Sequence, residues 1–183
     1  MECRAHGTLQ GYHVIVEDLE EARCLYGEGF YGHPLGVDKP RGADFTAPLL
    51  LTPLEAVYLA YKGVLTVYSG SSQVGLDRLE ELAREYYGRL YDVMREVYFD
   101  LREKGLVVRS GLVYGADFTV YRYGPGIDHA PYVAHVYERD EDLEPTELVR
   151  AGRLSHSVRK TFIVASRDNS GRPIYLMLKW FRP

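Results

Sequence analysis

The sequence predicts an α/β protein, with a small mixed α/β N-terminal domain at residues 1–85 and an α/β C-terminal domain at residues 86–183. Three observations support this prediction. The chain has 183 residues, of which 46% are hydrophobic, enough to form one core or two small ones. Large apolar residues recur at helical spacing around Gly88, near the expected domain boundary. Residues 106–123 then alternate between apolar and polar side chains, as strands do.

The clearest local signal in the N-terminal domain is a helix start. Thr52 is suited to the N-cap, Pro53 to the first helical position, and Glu55 to closing a capping box. The helix should run to about Lys62, because Gly63 is a typical C-terminal stop. The other elements predicted for this domain are a strand at 12–16, a loop at 27–48, a strand at 65–68, a loop at 69–75 and a helix at 77–85.

The C-terminal domain should open with a long helix. Apolar residues recur at helical spacing from Tyr87 to Leu101, and Lys104 and Gly105 end the pattern. The elements predicted after it are a strand pair within 106–123 that turns near 110–111, a strand at 132–138, a helix from Pro145 to about Val158, a strand at 162–166, a turn at 168–171 and a strand at 174–181.

Charge is distributed unevenly along the chain. The net charge is −4, which argues against a nucleic-acid binder, and residues 1–87 alone carry −6. Residues 88–183 carry +2 although the segment 138–147 holds six acids and one Arg. Without that segment the remainder of this half carries +7. Because phosphate binding depends on local positive charge, the C-terminal half can bind RNA if the acidic segment points elsewhere.

Bulk features also suggest the compartment. No apolar run approaches the roughly 20 residues of a membrane span, and the N-terminus is unlike a signal peptide, so we expect a soluble intracellular protein. Cys3 and Cys24 lack metal-ligand spacing and are most simply reduced thiols, with a disulfide between them as the alternative. One Asn and two Gln among 183 residues suggest a thermophilic source, although the Arg bias has a second explanation in a GC-rich genome.

Three separated segments of the C-terminal half carry a recognisable pattern. They read GLVYGADFTVY at 111–121, DHA at 128–130 and RLSHSVRK at 153–160. This run resembles the archaeal tRNA-splicing endonuclease family, across roughly residues 86–183. The resemblance implies an N-terminal scaffold domain and a nuclease-like α/β catalytic domain. It further implies that Tyr121 is a general base, His129 a general acid and Lys160 an electrostatic stabiliser, with no metal or cofactor.

The chemistry of these residue types fits cleavage of RNA at its own 2′-hydroxyl. One group must take the 2′-proton, another must protonate the leaving 5′-oxygen, and positive charge must lie beside the phosphorane oxygens. The products would be a 2′,3′-cyclic phosphate and a 5′-hydroxyl. A phenol with an ordinary pKa of about 10 is a poor base at neutral pH unless a nearby cation lowers the pKa of Tyr121, and Lys160 could supply that cation. His135 and His156 are rivals for the acid. His135 alternates within an apolar strand, which favours a structural role.

Contacts with the substrate are implied for four other residues. Arg153 matches the family's Arg that stacks on an extruded base, and Trp180, the single Trp, could form the other half of that clamp or close the core. Lys39 and Arg41 are the cations of the 27–48 loop, which resembles an insertion of crenarchaeal members that approaches the RNA. An ordinary surface loop is the alternative.

The acidic segment and the length of the chain bear on assembly. The resemblance implies that Asp140, Glu141 and Asp142 insert into a basic pocket of a neighbouring subunit, although a solvated loop would have the same composition. The implied substrate is precursor tRNA, cut at bulge-helix-bulge junctions in the cytoplasm. The implied assembly is a homotetramer or, as the 27–48 loop favours, an α2β2 heterotetramer with a structural subunit.

Three other functions are alternatives: a metal-dependent nuclease, a structural subunit of the same assembly, and an RNA-binding module without chemistry. Metal-dependent nucleases of the restriction type carry an acidic residue two positions before a Lys, and none of the five lysines has one. A non-catalytic structural or RNA-binding subunit of the same assembly would keep the fold and lose the triad. The presence of Tyr121, His129 and Lys160 therefore favours the catalytic subunit.

Overall fold

The structure is a computed structural model that describes residues 3–38, 40, 42–146, 148–149, 152–153 and 160–178. The chain forms two compact units, residues 1–91 and residues 92–183. Both units contain a mixed sheet and helices, which confirms the predicted α/β class.

The first unit is built on a six-stranded sheet with the order β3-β4-β2-β1-β5-β6. Strand β1 pairs parallel with β5, and the other pairings are antiparallel. Its elements are β1 (Ala5–Gln10), β2 (His13–Val16), α1 (Leu19–Gly29), β3 (His33–Pro34), β4 (Leu49–Leu51), α2 (Pro53–Tyr61), β5 (Leu65–Ser69), β6 (Ser72–Val74) and α3 (Leu76–Tyr87).

Helix α2 begins as the sequence predicts. The Thr52 hydroxyl accepts the Glu55 N–H at 3.3 Å, and the Glu55 carboxylate accepts the Thr52 N–H at 2.9 Å, which completes a capping box. Gly63 follows the helix with a φ of 69°, a conformation that glycine adopts without strain. Seven of the nine helical residues are buried, so α2 lies in the core of the first unit.

Cys3 and Cys24 form a disulfide, and the interpretation of them as reduced thiols is therefore wrong. Cys3 lies just before β1 and Cys24 on α1, and their Cα atoms are 5.9 Å apart, within the range a disulfide bridges. The bond joins the start of the sheet to α1. The proximity follows from α1 and β1, two elements that the sequence analysis did not identify.

The second unit has a five-stranded sheet with the order β11-β10-β9-β8-β7. Strands β9 and β10 are parallel, and the remaining neighbours are antiparallel. Its elements are β7 (Val107–Ser110), β8 (Phe118–Tyr121), β9 (Tyr132–Val136), β10 (Thr161–Arg167) and β11 (Pro173–Leu178), preceded by α4 (Tyr91–Glu103), which starts at the boundary between the units.

Helix α4 and the sheet share a core. The helix buries Val97, Tyr98 and Leu101, and the Tyr98 ring contacts that of Phe118 on β8 at 6.1 Å between centroids. Arg102 is also buried, where its guanidinium donates to the Tyr98 hydroxyl and to the Val108 carbonyl. A second apolar cluster forms around Val133, Phe162 and Val164. Tyr114, Ala116, Tyr137, Leu143, Leu148 and Leu178 pack against it.

Several predicted elements need correction. Helix α1 and strands β1, β3, β4 and β6 were not predicted, and the last turn of α1, β3 and β6 lie in segments predicted to be loops. Residues 145–146, 148–149 and 152–153 are helical, in the segment where a helix to about Val158 was predicted. The rest of that segment lies outside the described residues. Within the described part of the chain, no helix has the length and apolar character needed to cross a membrane.

Candidate active site

Tyr121 and Lys160 lie at one edge of the second sheet because of strand register. Val120 is opposite Tyr132, and Tyr132 is opposite Thr161. Val120, Tyr132 and Thr161 therefore form one row across the three strands. Tyr121, the last residue of β8, follows Val120, and Lys160 directly precedes Thr161, so both lie one residue beyond this row at the end of the sheet where β9 begins. Since β9 and β10 are parallel, the segments that precede both strands meet at the same edge.

Lys160 is held by a backbone carbonyl and an aromatic ring. Its Nζ donates to the carbonyl oxygen of Ala130 at 2.6 Å and lies 4.8 Å from the centroid of the Tyr114 ring. Burial lowers the pKa of Lys160, while the negative charge of Asp128 acts in the opposite direction. The ammonium is thus an oriented cation with a partly desolvated environment.

Tyr121 is half-buried, and its pKa is raised above the ordinary value. Burial is the main cause, followed by the charge of Tyr114, whereas the charge of Arg109 and a hydrogen bond with Thr119 lower the pKa. In the chain without substrate, the lowering of this pKa by a nearby cation is therefore outweighed. The reason is that desolvation of the phenolate outweighs the attraction of Arg109.

His129 is exposed, and its chain neighbours on both sides are held in place. Ala130 is 3% exposed and accepts the hydrogen bond from Lys160, while the Asp128 carboxylate accepts backbone N–H groups of the turn that follows Tyr121. The imidazole therefore projects from an anchored piece of backbone, one residue away from the carbonyl that binds the Lys160 ammonium.

His135 lies elsewhere in the sheet. It is the fourth residue of β9, and its Nδ1 is 3.7 Å from Oδ2 of Asp117. At about 3.3 Å per residue, it is roughly 10 Å along the strand from Tyr132. Its ring packs on Phe162 at 5.2 Å between centroids. These contacts are those of a structural histidine. His156 lies outside the described residues.

The residues proposed from the sequence to contact RNA are only partly described. Arg153 is exposed on the helical segment before β10. Lys39, Arg41 and Trp180 lie outside the described residues.

The acidic segment after β9 is described up to residue 146. Asp140 and Asp142 are exposed. Glu141 is only half-exposed, and its carboxylate accepts the N–H of Glu138 at 3.2 Å. Glu141 thus stabilises the local turn, while Asp140 and Asp142 present their charges to solvent. Among the residues that the structure describes, no group of three or more His, Cys, Asp or Glu side chains is arranged to hold a metal ion.

The geometry adds two neighbours that the sequence analysis did not select. Tyr114 contacts the Lys160 ammonium and influences the Tyr121 phenol, and Asp128 acts electrostatically on both residues. Tyr114 and Asp128 lie within the segments 111–121 and 128–130, so their position in the pattern was visible. Their contacts with Lys160 and Tyr121 depend on how separate segments meet in the fold, and no pattern in the sequence predicts them.

Two family models match the chain. The model described as "tRNA intron endonuclease, catalytic C-terminal domain" matches residues 91–175, and "tRNA intron endonuclease, N-terminal domain" matches residues 5–80. A tRNA-splicing endonuclease of Hyperthermus butylicus is 49% identical over 178 residues, covering 96% of this chain and 98% of the relative. The tRNA-splicing endonucleases of Saccharolobus islandicus and Saccharolobus solfataricus are each 43% identical, over 177 and 180 residues, covering 95% of this chain and 97% of the relative.

Proposed function

The chain belongs to the tRNA intron endonuclease family, whose members remove introns from precursor tRNA, and we propose that it is a catalytic subunit that uses Tyr121, His129 and Lys160 without a metal. The second unit is the catalytic domain of this proposal and the first unit its scaffold. Cleavage at bulge-helix-bulge junctions would leave a 2′,3′-cyclic phosphate and a 5′-hydroxyl.

In the proposed reaction each residue handles one proton or one charge. The Tyr121 phenolate takes the proton of the 2′-hydroxyl, and the 2′-oxygen attacks the adjacent phosphorus. The imidazolium of His129 gives its proton to the departing 5′-oxygen. The Lys160 ammonium stabilises the negative charge on the non-bridging oxygens as the phosphorane forms. Because the pKa of Tyr121 is raised in the free chain, the proposal requires the bound RNA to bring the phenol into its reactive form.

The observation that carries the proposal is the hydrogen bond from Lys160 Nζ to the Ala130 carbonyl. It supports the proposal because it holds the cation beside the residue that follows His129, at the sheet edge where β8 ends with Tyr121. A pre-oriented cation of this kind costs little reorganisation during the reaction.

The proposed partners follow from the exposed groups. Arg153, with Trp180, Lys39 and Arg41, would contact precursor tRNA in the cytoplasm. Asp140, Glu141 and Asp142 would contact a structural subunit in an α2β2 heterotetramer, and the exposure of Asp140 and Asp142 supports this assignment.

The test is cleavage of a bulge-helix-bulge pre-tRNA in EDTA, by the chain alone and with a candidate structural subunit, followed by analysis of the RNA ends. The proposal predicts cyclic phosphate ends and their loss in His129→Ala. His135→Ala is the matched control, and it should retain cleavage because His135 lies within β9. RNA binding without cleavage under both conditions would instead support the non-catalytic subunit, and cleavage that requires the partner would support the heterotetramer.

A further inference from the structure

A single carboxylate organises the segment between Tyr121 and His129. Asp128 Oδ2 accepts the N–H of Arg122 at 3.0 Å, and Oδ1 accepts the N–H of Gly124 at 2.8 Å and that of Tyr123 at 3.4 Å. The three donors are consecutive and start directly after Tyr121. Asp128 directly precedes His129. One side chain therefore connects the backbone at both ends of the segment 122–128.

Backbone bonds tighten the same segment from within. The N–H groups of Ile127 and Asp128 both donate to the Gly124 carbonyl at 3.1 Å. Gly124 has a φ of 133°, a conformation that L side chains rarely adopt. On the outer side, Nη2 of Arg122 donates to the Tyr132 hydroxyl at 2.9 Å, which ties the segment to the start of β9.

Apolar packing contributes little to holding this segment. Tyr123 and Ile127, its two large hydrophobic side chains, are each 68% exposed. A surface loop without buried side chains is ordinarily mobile. The order of the 122–128 segment therefore depends on polar contacts, of which those to Asp128 are the most numerous.

Position matters here because the segment separates the proposed base from the proposed acid. A general acid must lie within hydrogen-bond reach of the leaving oxygen, and a displacement of about 1 Å can cost on the order of a hundredfold in rate. The negative charge of Asp128 also acts on the Lys160 ammonium.

We propose that Asp128 is a positioning residue that fixes His129 relative to Tyr121 through its hydrogen bonds to the backbone of residues 122–124. This inference rests on the proposed function, because it assigns a role to Asp128 in that same reaction. Asp128 itself transfers no proton and need not touch the RNA.

The test compares Asp128→Ala and Asp128→Asn under conditions in which the wild-type chain cleaves pre-tRNA. We expect Asp128→Ala to lower the single-turnover rate constant at saturating enzyme by on the order of a hundredfold, with the Kd for the RNA changed less than about threefold. Asn keeps one acceptor oxygen in place of two. Its amide nitrogen then faces either the N–H of Arg122 or the N–H of Gly124, and the hydrogen bond to that N–H is lost. Its rate should therefore lie between those of Ala and wild type.

Asp168→Ala is the matched control. The Asp168 carboxylate also accepts two backbone N–H groups, of Ser170 at 2.8 Å and Arg172 at 3.0 Å, but it follows the far end of β10 from Lys160. Its loss should leave the cleavage rate unchanged even if it lowers the melting temperature. Melting curves of all variants separate misfolding from misplacement of His129. If Asp128→Ala does not fold, the cleavage rate of Asp128→Asn tests the inference instead.

Three outcomes overturn the inference: wild-type rates in both Asp128 variants, an Asn variant as slow as Ala, or a loss of rate matched by an equal loss of RNA affinity. If the wild-type chain itself does not cleave with or without a partner, the proposed function fails instead.

Discussion

The ammonium of Lys160 donates a hydrogen bond of 2.6 Å to the carbonyl oxygen of Ala130, thirty residues earlier in the chain. Lys160 precedes β10 and Ala130 lies two residues before β9, and these strands are parallel neighbours. The parallel pairing brings both segments to one edge of the sheet, and the hydrogen bond joins them there. The position of the cation is therefore set by the fold before RNA arrives.

Replacing Lys160 by Gln should reduce cleavage much more than RNA binding. The amide keeps a hydrogen-bond donor on a side chain one bond shorter but lacks the positive charge, so the loss reports the charge placed beside the transition state. We expect the single-turnover rate to fall by on the order of 10²–10³-fold, with a Kd for pre-tRNA close to wild type.

Lys104→Gln is the control for this substitution, since Lys104 is an exposed lysine that pairs with Asp100 on α4. It should cleave at the wild-type rate. Equal losses of rate in the Lys104 and Lys160 variants would mean that overall charge, not the placed ammonium, supports activity.

Much of the fold is visible in the sequence where local signals agree with burial. The capping box of Thr52 and Glu55 and the apolar repeat of α4 are such cases, although α4 begins at Tyr91 and not at Tyr87, because residues 88–90 form a 3₁₀ turn. Strand β1 was missed because Gly7 lies in its middle and glycine predicts a loop. The structure gives the reason for that glycine: a Cβ at residue 7 would lie 2.3 Å from Cγ1 of Val14 on β2.

Helix α1 was missed for a related reason. Gly27 and Gly29 lie in its last turn, and glycines are typical of loops and helix ends. Its N-cap, Asp18, was an available signal, because the side chain accepts the N–H groups of Glu20 and Glu21.

The candidate site was likewise predictable from the sequence only in part. Residue types and order were sufficient to select Tyr121, His129 and Lys160 as a hypothesis. The raised pKa of Tyr121 was not predictable, because it depends on burial and on Tyr114 and Asp128, which the fold brings near the phenol. The same holds for the contact between Lys160 and the Tyr114 ring.

Replacing Glu55 by Ala should destabilise the first unit strongly. Glu55 is 5% exposed, and its carboxylate accepts the N–H of Gly32 at 2.9 Å as well as the N–H and hydroxyl of Thr52 at 2.9 Å. Its loss removes the capping box and the buried hydrogen bond that Gly32 donates. We expect the free energy of unfolding to fall by about 2–4 kcal/mol, measured by urea denaturation.

Glu81→Ala provides the comparison for Glu55→Ala. Glu81 is an exposed residue that pairs with Arg78 on α3. The cost of its loss should stay below about 1 kcal/mol. A Glu55 variant as stable as the Glu81 variant would show that the buried carboxylate is not needed for folding.

Reduction of the disulfide between Cys3 and Cys24 should lower stability. The bond closes a loop with a sequence separation of 21 residues. A loop of this size restricts the unfolded chain by about 3 kcal/mol. Calorimetry with and without a reductant should show a lower melting temperature in the reduced protein, and a Cys3→Ser, Cys24→Ser double variant should be insensitive to the reductant. Titration of two free thiols in the unreduced, denatured chain would contradict the bond.

The Tyr175 phenol should make stability fall at alkaline pH. It donates to Oδ2 of Asp100 at 2.6 Å, and its pKa is raised by burial, by this hydrogen bond and by the charge of Asp100. The folded chain therefore keeps the proton above the ordinary tyrosine pKa of about 10, whereas the unfolded chain releases it. The contribution of Tyr175 is fully present below about pH 10 and is lost as the pH rises toward its folded pKa.

Tyr175→Phe removes both the hydrogen bond and this titration. Because Tyr175 is 37% exposed, solvent weakens the pair, and urea denaturation between pH 8 and 11 should show the variant less stable than wild type by about 0.5–1 kcal/mol at the lower end, with the difference shrinking above about pH 10. Tyr123→Phe, at a tyrosine that is 68% exposed, should follow the wild-type curve throughout. A difference between wild type and Tyr175→Phe that stays constant across this range would mean that the phenol titrates alike in the folded and unfolded chains.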